Sequence, residues 1–278
     1  MRRKLCLLSC VLLLAIAAPG VPRTDAQAPT VAVDAAVVLA ADVSRSIDDG
    51  EFALQRRGYA EAIQDQKLMD AISTGPHGAI ALAYVEWAGG SEQKQVVDWA
   101  LIRNAADARA FVAALTAAPR AFVGRTAIGS AIDFSFALFG ETGFTADRRI
   151  IDVSGDGTSN QGRPVTAARD AAVAGGAVIN GLTIFNQRAA AGGGYLALHT
   201  NPPGGLAQYY RDNVIGGKGA FVVPIADFNS FADALLRKLV NEIADGRPTC
   251  CNGERVRAAS GSSGLLQPRP LQEGGSIP

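Results

Sequence analysis

The stretch "VAVDAAVVLAADVSRSIDDGEF", residues 31–52, decides the fold. An apolar run, "VAVDAAVVLA", ends abruptly in Asp42, Ser44 and Ser46, three small oxygen-bearing side chains at alternating positions. Directly behind them, Asp48 stands three residues before Glu51, the pattern of a helix-opening capping box. A buried strand that stops at a polar turn and enters a helix is the unit of a parallel α/β sheet.

Working outward, the pattern recurs. Short apolar, β-rich runs occupy 33–41, 79–87, 94–102, 149–154, 177–185 and 220–225. Longer stretches with helical spacing lie between several of them: "DDGEFALQRRGYAEAIQDQ", "AADARAFVAAL", "TAIGSAIDFSFALF", "PVTAARDAAVAG" and "FNSFADALLRKLVNEIADG". The last places Phe228, Phe231, Leu235, Leu239 and Ile243 on one face and stops at Gly246. The runs 79–87 and 94–102 are joined by "AGGSEQ", too short for a helix, so they predict a hairpin. The expected fold class is therefore α/β: a doubly wound, mostly parallel sheet with one antiparallel edge strand and helices on both faces. Residues 186–205, "NQRAAAGGGYLALHTNPPGG", read as a loop or insertion.

The ends read differently. "MRRK", then the apolar residues 5–18, then Ala-x-Ala patterns at Ala15–Ala17 and Ala26–Ala28 have the layout of a secretory signal peptide over 1–28. The apolar run is too short for a membrane span of ~20 residues. Pro29 disfavours cleavage after Ala28, so the position is open. Residues 29–246 form the expected domain, and 247–278, rich in Gly, Ser, Pro and Gln, an expected disordered tail. Export is expected, to a periplasm or the cell exterior. Of the four cysteines, Cys250 and Cys251 would remain, able to bond to each other in a strained ring or to a second chain.

Charge excludes some partners. Without Arg2, Arg3, Lys4, Arg23 and Asp25, the 26 basic and 26 acidic residues become 22 and 25, a net charge of −3. A mildly acidic chain with no basic run gives no electrostatic case for nucleic acid or an anionic membrane.

In a doubly wound sheet, ligands bind outside the carboxyl ends of the strands. Three segments should meet there: Asp42-Val43-Ser44-Arg45-Ser46, then "GRTAIG" with Thr126, then "IIDVSGDGTSN" with Asp156. Their oxygens suit a hard cation such as Mg²⁺, with Mn²⁺ or Ca²⁺ as substitutes. Three neutral hydroxyls and two carboxylates, acting directly or through water, would leave the metal electron-poor and receptive to a carboxylate from another molecule. Each residue also has a bland reading: Ser46 or Asp48 as cap of the first helix, Thr126 as cap of the next, Asp156 as a turn residue. Asp152, inside its strand, either supports the site or pairs with a buried polar group. Asp34 has no assigned role, and His77 and His199 read as ordinary loop or surface residues.

The five-residue pattern Asp42-x-Ser44-x-Ser46, Thr126 and Asp156 resembles the metal-ion-dependent adhesion site of von Willebrand factor type A domains, over about residues 31–245. It looks most similar to a poorly characterised group of secreted bacterial proteins with that domain. The resemblance implies a Rossmann-like fold, a bound divalent cation, and capture of a protein ligand offering Asp or Glu; it implies no reaction. Many such domains have Gly between the two serines; here Arg45 stands there. Arg45 and Arg125 are therefore candidate ligand contacts. The rival class is a metal-dependent hydrolase of the phosphotransferase type. That chemistry needs a second acid two residues after Asp42, where this chain has Ser44. No Gly-x-Ser-x-Gly elbow supports a serine hydrolase.

Overall fold

The computed structural model describes residues 30–244. The expected leader, the tail and the Cys250–Cys251 pair lie outside these residues. In chain order the elements are β1 (Val31–Val33), β2 (Ala35–Asp42), α1 (Asp49–Gln64), α2 (Gln66–Ser73), β3 (Ile80–Trp87), β4 (Gln93–Ile102), α3 (Ala105–Ala117), α4 (Ile128–Leu138), β5 (Phe144–Ala146), β6 (Arg149–Gly155), α5 (Val165–Ala174), β7 (Ala177–Ile184), α6 (Gln187–Ala191), α7 (Gly194–Thr200), α8 (Leu206–Asn213), β8 (Val222–Ile225) and α9 (Phe231–Ile243). Among them no helix is long and apolar enough to cross a membrane.

Six strands form one sheet in the order β4-β3-β2-β6-β7-β8. All neighbours are parallel except β3 and β4, the predicted hairpin. The chain leaves β2 first toward β3 and later returns to β6 on the other side. The gap between the carboxyl ends of β2 and β6 is thus the topological switch point, where such sheets hold ligands.

β2 shows why a continuous apolar run suits the centre of this sheet. Every residue from Ala35 to Asp42 is buried. Ala35, Val37, Leu39 and Ala41 pack under α1, α2, α3 and α9, while Ala36, Val38 and Ala40 pack under α4, α5 and α8. Alternation sends successive side chains to opposite layers, and both layers are dry. α9 lies close against α1: a Cβ on Gly58 would stand 2.6 Å from Phe231 and 3.2 Å from the Ala232 backbone nitrogen. Tyr59, beside that glycine, meets Tyr84 and Phe231 edge-on, with ring centres 5.0 and 5.1 Å away.

The structure departs from the sequence expectations in three places. Residues 186–205 hold two short helices, α6 and α7, rather than a plain loop. Asn186 caps α6 by accepting from the Ala189 N–H, and the chain turns at Gly193 and Gly194, with φ of 69° and 61°, to open α7. The first strand is broken at Asp34, whose carboxylate turns aside to accept the backbone N–H groups of His77 (2.9 Å) and Ala79 (3.2 Å). The preceding piece, β1, pairs instead with β5 in a separate two-stranded sheet.

Asp152 has its alternatives resolved: it pairs with a buried polar group. Lys238 on α9, fully buried, places Nζ 2.6 Å from Asp152 Oδ1 and 2.5 Å from Glu242 Oε1. Asn180 Nδ2 donates to the same Glu242 oxygen at 2.7 Å. One cation serves two carboxylates in a dry core. Burial therefore raises the Asp152 carboxyl and pushes Glu242 up to about 7. Removing the cation would strand both acids. Lys238→Met should cost about 3–5 kcal/mol of unfolding free energy in urea denaturation. A loss under about 1 kcal/mol would mean that the ion group does not hold α9 to the sheet.

Candidate functional site at the sheet edge

The site is built where β2 and β6 end. Asp42 is the last residue of β2, and its Oδ1 accepts the Ser44 backbone N–H at 2.7 Å, curling the chain into a tight turn. The turn brings Ser44 Oγ and Ser46 Oγ within 3.1 Å of each other. Ser46 Oγ then donates to Asp156 Oδ1 at 2.6 Å, across from the end of β6. Thr126, ahead of α4, donates from Oγ1 to Ser44 Oγ at 3.3 Å. All five residues of the predicted pattern are thus in one connected cluster, and all five are buried.

The capping reading holds for Asp48 and not for Ser46 or Thr126. Asp48, not Ser46, caps α1, in a complete capping box with Glu51. α4 is capped at Ala127 with no side-chain hydrogen bond, so the Thr126 hydroxyl is spent elsewhere. Asp156 accepts from two side chains, Ser46 and Asn186 (2.8 Å to Oδ2).

What remains is a surplus of acceptors. Asp42 Oδ2 is buried and has no hydrogen-bond partner. Burial, then the facing Asp156, push the Asp42 carboxyl up to about 8; burial pushes Asp156 up to about 6. Two acids buried in one pocket strongly disfavour ionising together without a compensating positive charge. A divalent cation is the compensator whose chemistry matches these donors: three hydroxyls and two carboxylates, one of them with an orphaned oxygen.

Several residues that hold this cluster carry no motif. Arg120 donates from Nη2 to the carbonyls of Val43 (2.9 Å), Ser44 (3.1 Å) and Ile47 (2.8 Å), fixing the first loop from behind. Asn160 Oδ1 accepts the Thr126 N–H at 3.0 Å, and Asn160 N–H donates back to Thr126 O at 2.8 Å. Asn186 bridges Asp156 and the Ser46 carbonyl, the latter at 3.0 Å. Nothing in composition or spacing marks an arginine or asparagine for such a task; only the tertiary meeting of loops does.

His199 corrects the expectation of a surface residue: it is 5% exposed. Its Nε2 lies 3.2 Å from Thr126 Oγ1 and its Nδ1 3.1 Å from Thr158 Oγ1. Tyr195 stacks on the ring, with centres 5.8 Å apart. Arg45 and Arg125 are exposed at the mouth of the site.

A second group lies at the opposite edge of the sheet. Single ligand atoms of Asp34, His77 and Asp147 fall within 4.8 Å of one another. Asp34 already gives its oxygens to backbone N–H groups, and the other two side chains are more exposed, with His77 Nε2 3.4 Å from Asp147 Oδ2. That is a hydrogen-bonded strand entry with a surface His–Asp contact attached.

Comparison with known proteins agrees with the fold. A family model matches residues 32–247, and its description is a protein of unknown function, DUF1194. The chain belongs to that family. No curated protein matches it. Among solved structures, proximal thread matrix protein 1 from the mussel byssus, with a zinc-occupied MIDAS motif, is similar at 15% identity and a TM-score of 0.53. That match covers 77% of this chain and 49% of the mussel protein. A von Willebrand factor type A protein from Catenulispora acidiphila matches at 14% identity and TM-score 0.51, over 77% and 43% of the two chains. The pilus adhesin SpaC of Lactobacillus rhamnosus GG does so at 14% and 0.51, over 76% and 31%. The DUF1194 chain spans half or less of each of these proteins. At such identities the likeness speaks to the fold, which is of the von Willebrand factor A type.

Burial holds the His199 imidazole below its ordinary value of 6.5. Below that pH the unfolded chain binds a proton that the folded site resists, so this residue lowers stability as pH falls. An NMR titration of the ring should give a midpoint below 6.5; a midpoint above it would contradict the buried, neutral placement.

Proposed function

We propose that this DUF1194 protein is an exported binding module that uses a divalent cation to capture an acidic side chain of a protein partner. One observation carries the proposal: five buried oxygen-bearing residues converge at the switch point of the sheet around an acceptor, Asp42 Oδ2, that no donor satisfies. Asp42, Ser44, Ser46, Thr126 and Asp156 would hold the cation, Mg²⁺ or in its place Mn²⁺ or Ca²⁺. When bound, the cation supplies a Lewis-acidic position that a carboxylate can fill. The chain's own residues would do the rest: Asp42 and Asp156 would offset the charge, the three hydroxyls would supply neutral oxygens, and Arg120, Asn160 and Asn186 keep the loops in place. Arg45 and Arg125 would contact the ligand.

The zinc-occupied motif of the mussel protein, on a similar fold, supports a divalent ion at this edge. The adhesin SpaC supports adhesion as a use of that fold. The domain is proposed to span 29–246, behind a cleaved leader at 1–28. The hydrolase alternative finds no further support in the site, since His199 is bonded to two hydroxyls and to no carboxylate.

Calorimetric titration of the chelator-treated protein with Mg²⁺, Mn²⁺ and Ca²⁺ tests the proposal. Saturable binding of one ion should appear and vanish in Asp42→Ala and Thr126→Ala, while both variants keep the circular dichroism of a folded chain. Undiminished binding in both variants would overturn the site, and release of product from phosphoester substrates under any of the cations would overturn the binding-module assignment.

A further inference from the structure

The surface around the site is not of ordinary composition. Five large hydrophobic side chains are markedly exposed among the described residues: Val31, Val123, Phe185, Tyr195 and Leu198. Four of them stand on segments that reach or leave the carboxyl edge of the parallel strands. Val123 lies in the connection that delivers Thr126, Phe185 directly follows β7, and Tyr195 (66% exposed) and Leu198 (63%) ride on α7. Single exposed apolar residues need no explanation, but a concentration of them at the rim of one polar site is the composition of a binding face.

The charges at that rim are also sorted. The acids there are engaged: Arg188 pairs with Asp48 and Glu51 at 3.0 Å each, and Arg120 with Asp49 at 3.1 Å. The guanidiniums of Arg45 and Arg125 have no ion-pair or hydrogen-bond partner among the described residues. Both line a cleft of ≈ 410 Å³ with Ser46, Thr126, Tyr195 and His199. The cleft therefore joins two residues of the cation site, two unpaired guanidiniums and an aromatic wall.

We infer that the partner segment carries two acidic side chains close together, with an aromatic or aliphatic residue beside them. Resting on the cation-capture proposal, the first carboxylate fills the open position on the metal. The second lies against Arg45 and Arg125, whose planar forks suit a carboxylate. The apolar neighbour packs on Tyr195 and Leu198. A single acid would leave both guanidiniums uncompensated. An apolar segment would leave the metal position unfilled.

Panning a phage-displayed library of random peptides on the full chain in MnCl₂ tests this directly. Enriched peptides should carry paired acids next to an apolar residue. A synthetic copy should bind about tenfold or more weakly to Arg45→Ala/Arg125→Ala. Changing its second acid to the amide should weaken binding to the natural protein by a similar factor, and have no further effect on the double variant. These arginines are exposed, so folding is not at stake. Enrichment of single-acid peptides that ignore the arginines would overturn this inference and leave cation capture standing. Peptides indifferent to chelator and to Asp42→Ala would overturn cation capture itself. No enrichment, or a dimer in sedimentation that the double variant abolishes, would also overturn the assignment to an acidic peptide, the latter giving the face to a second copy.

Discussion

Two buried carboxylates, Asp42 and Asp156, share the space where the central strands β2 and β6 end. Placing them there is costly unless a positive charge shares the space. Burial, joined at Asp42 by repulsion from Asp156, raises the acids to about 8 and about 6. The surrounding architecture reads as the means of keeping that pair together. The parallel register of β2 and β6 brings the two strand ends side by side. Ser46 ties them with a hydrogen bond to Asp156. The loops behind are fastened by Arg120, which takes three carbonyls with one nitrogen.

The same strand that ends in the site begins its descent into a second charged group. Asp152 lies four residues before Asp156 on β6 and contacts Lys238 of α9. That helix, through Gly58 and Phe231, is pressed against α1, which begins just after Ser46. The site and the C-terminal helix are therefore connected through one strand on one side and one helix on the other. The connection is physical and short, made of a buried ion pair and a close helix crossing.

Much of this was legible in the sequence, for reasons that can be named. β2 reads as a strand because its apolar run is unbroken, and it must be unbroken because both faces are covered. The capping box at Asp48 and Glu51 marks the start of α1 by local chemistry alone. The meeting of Asp42, Ser44, Ser46, Thr126 and Asp156 at one edge was legible because each follows or precedes an element whose type was clear, so the strand order itself brings them together. What was not legible depends on contacts between distant segments. α6 and α7 are too short to show periodicity, so 186–205 read as a loop, and His199 read as a surface residue although it lies under Tyr195 against Thr126. Arg120, Asn160 and Asn186 act through backbone groups of other loops, which no spacing encodes. Asp152 stayed ambiguous because its partner, Lys238, is 86 positions away, on a helix whose apolar stripe gives no hint of a buried lysine.

The most direct test is crystallographic: soak chelator-stripped crystals in Mn²⁺ and locate the anomalous scattering. A single strong peak enclosed by Asp42, Ser44, Ser46, Thr126 and Asp156, absent in Asp156→Ala crystals, is the predicted result. A peak at Asp34, His77 and Asp147 instead, or none at the switch point, would contradict the claim that the buried carboxylates exist to hold a cation.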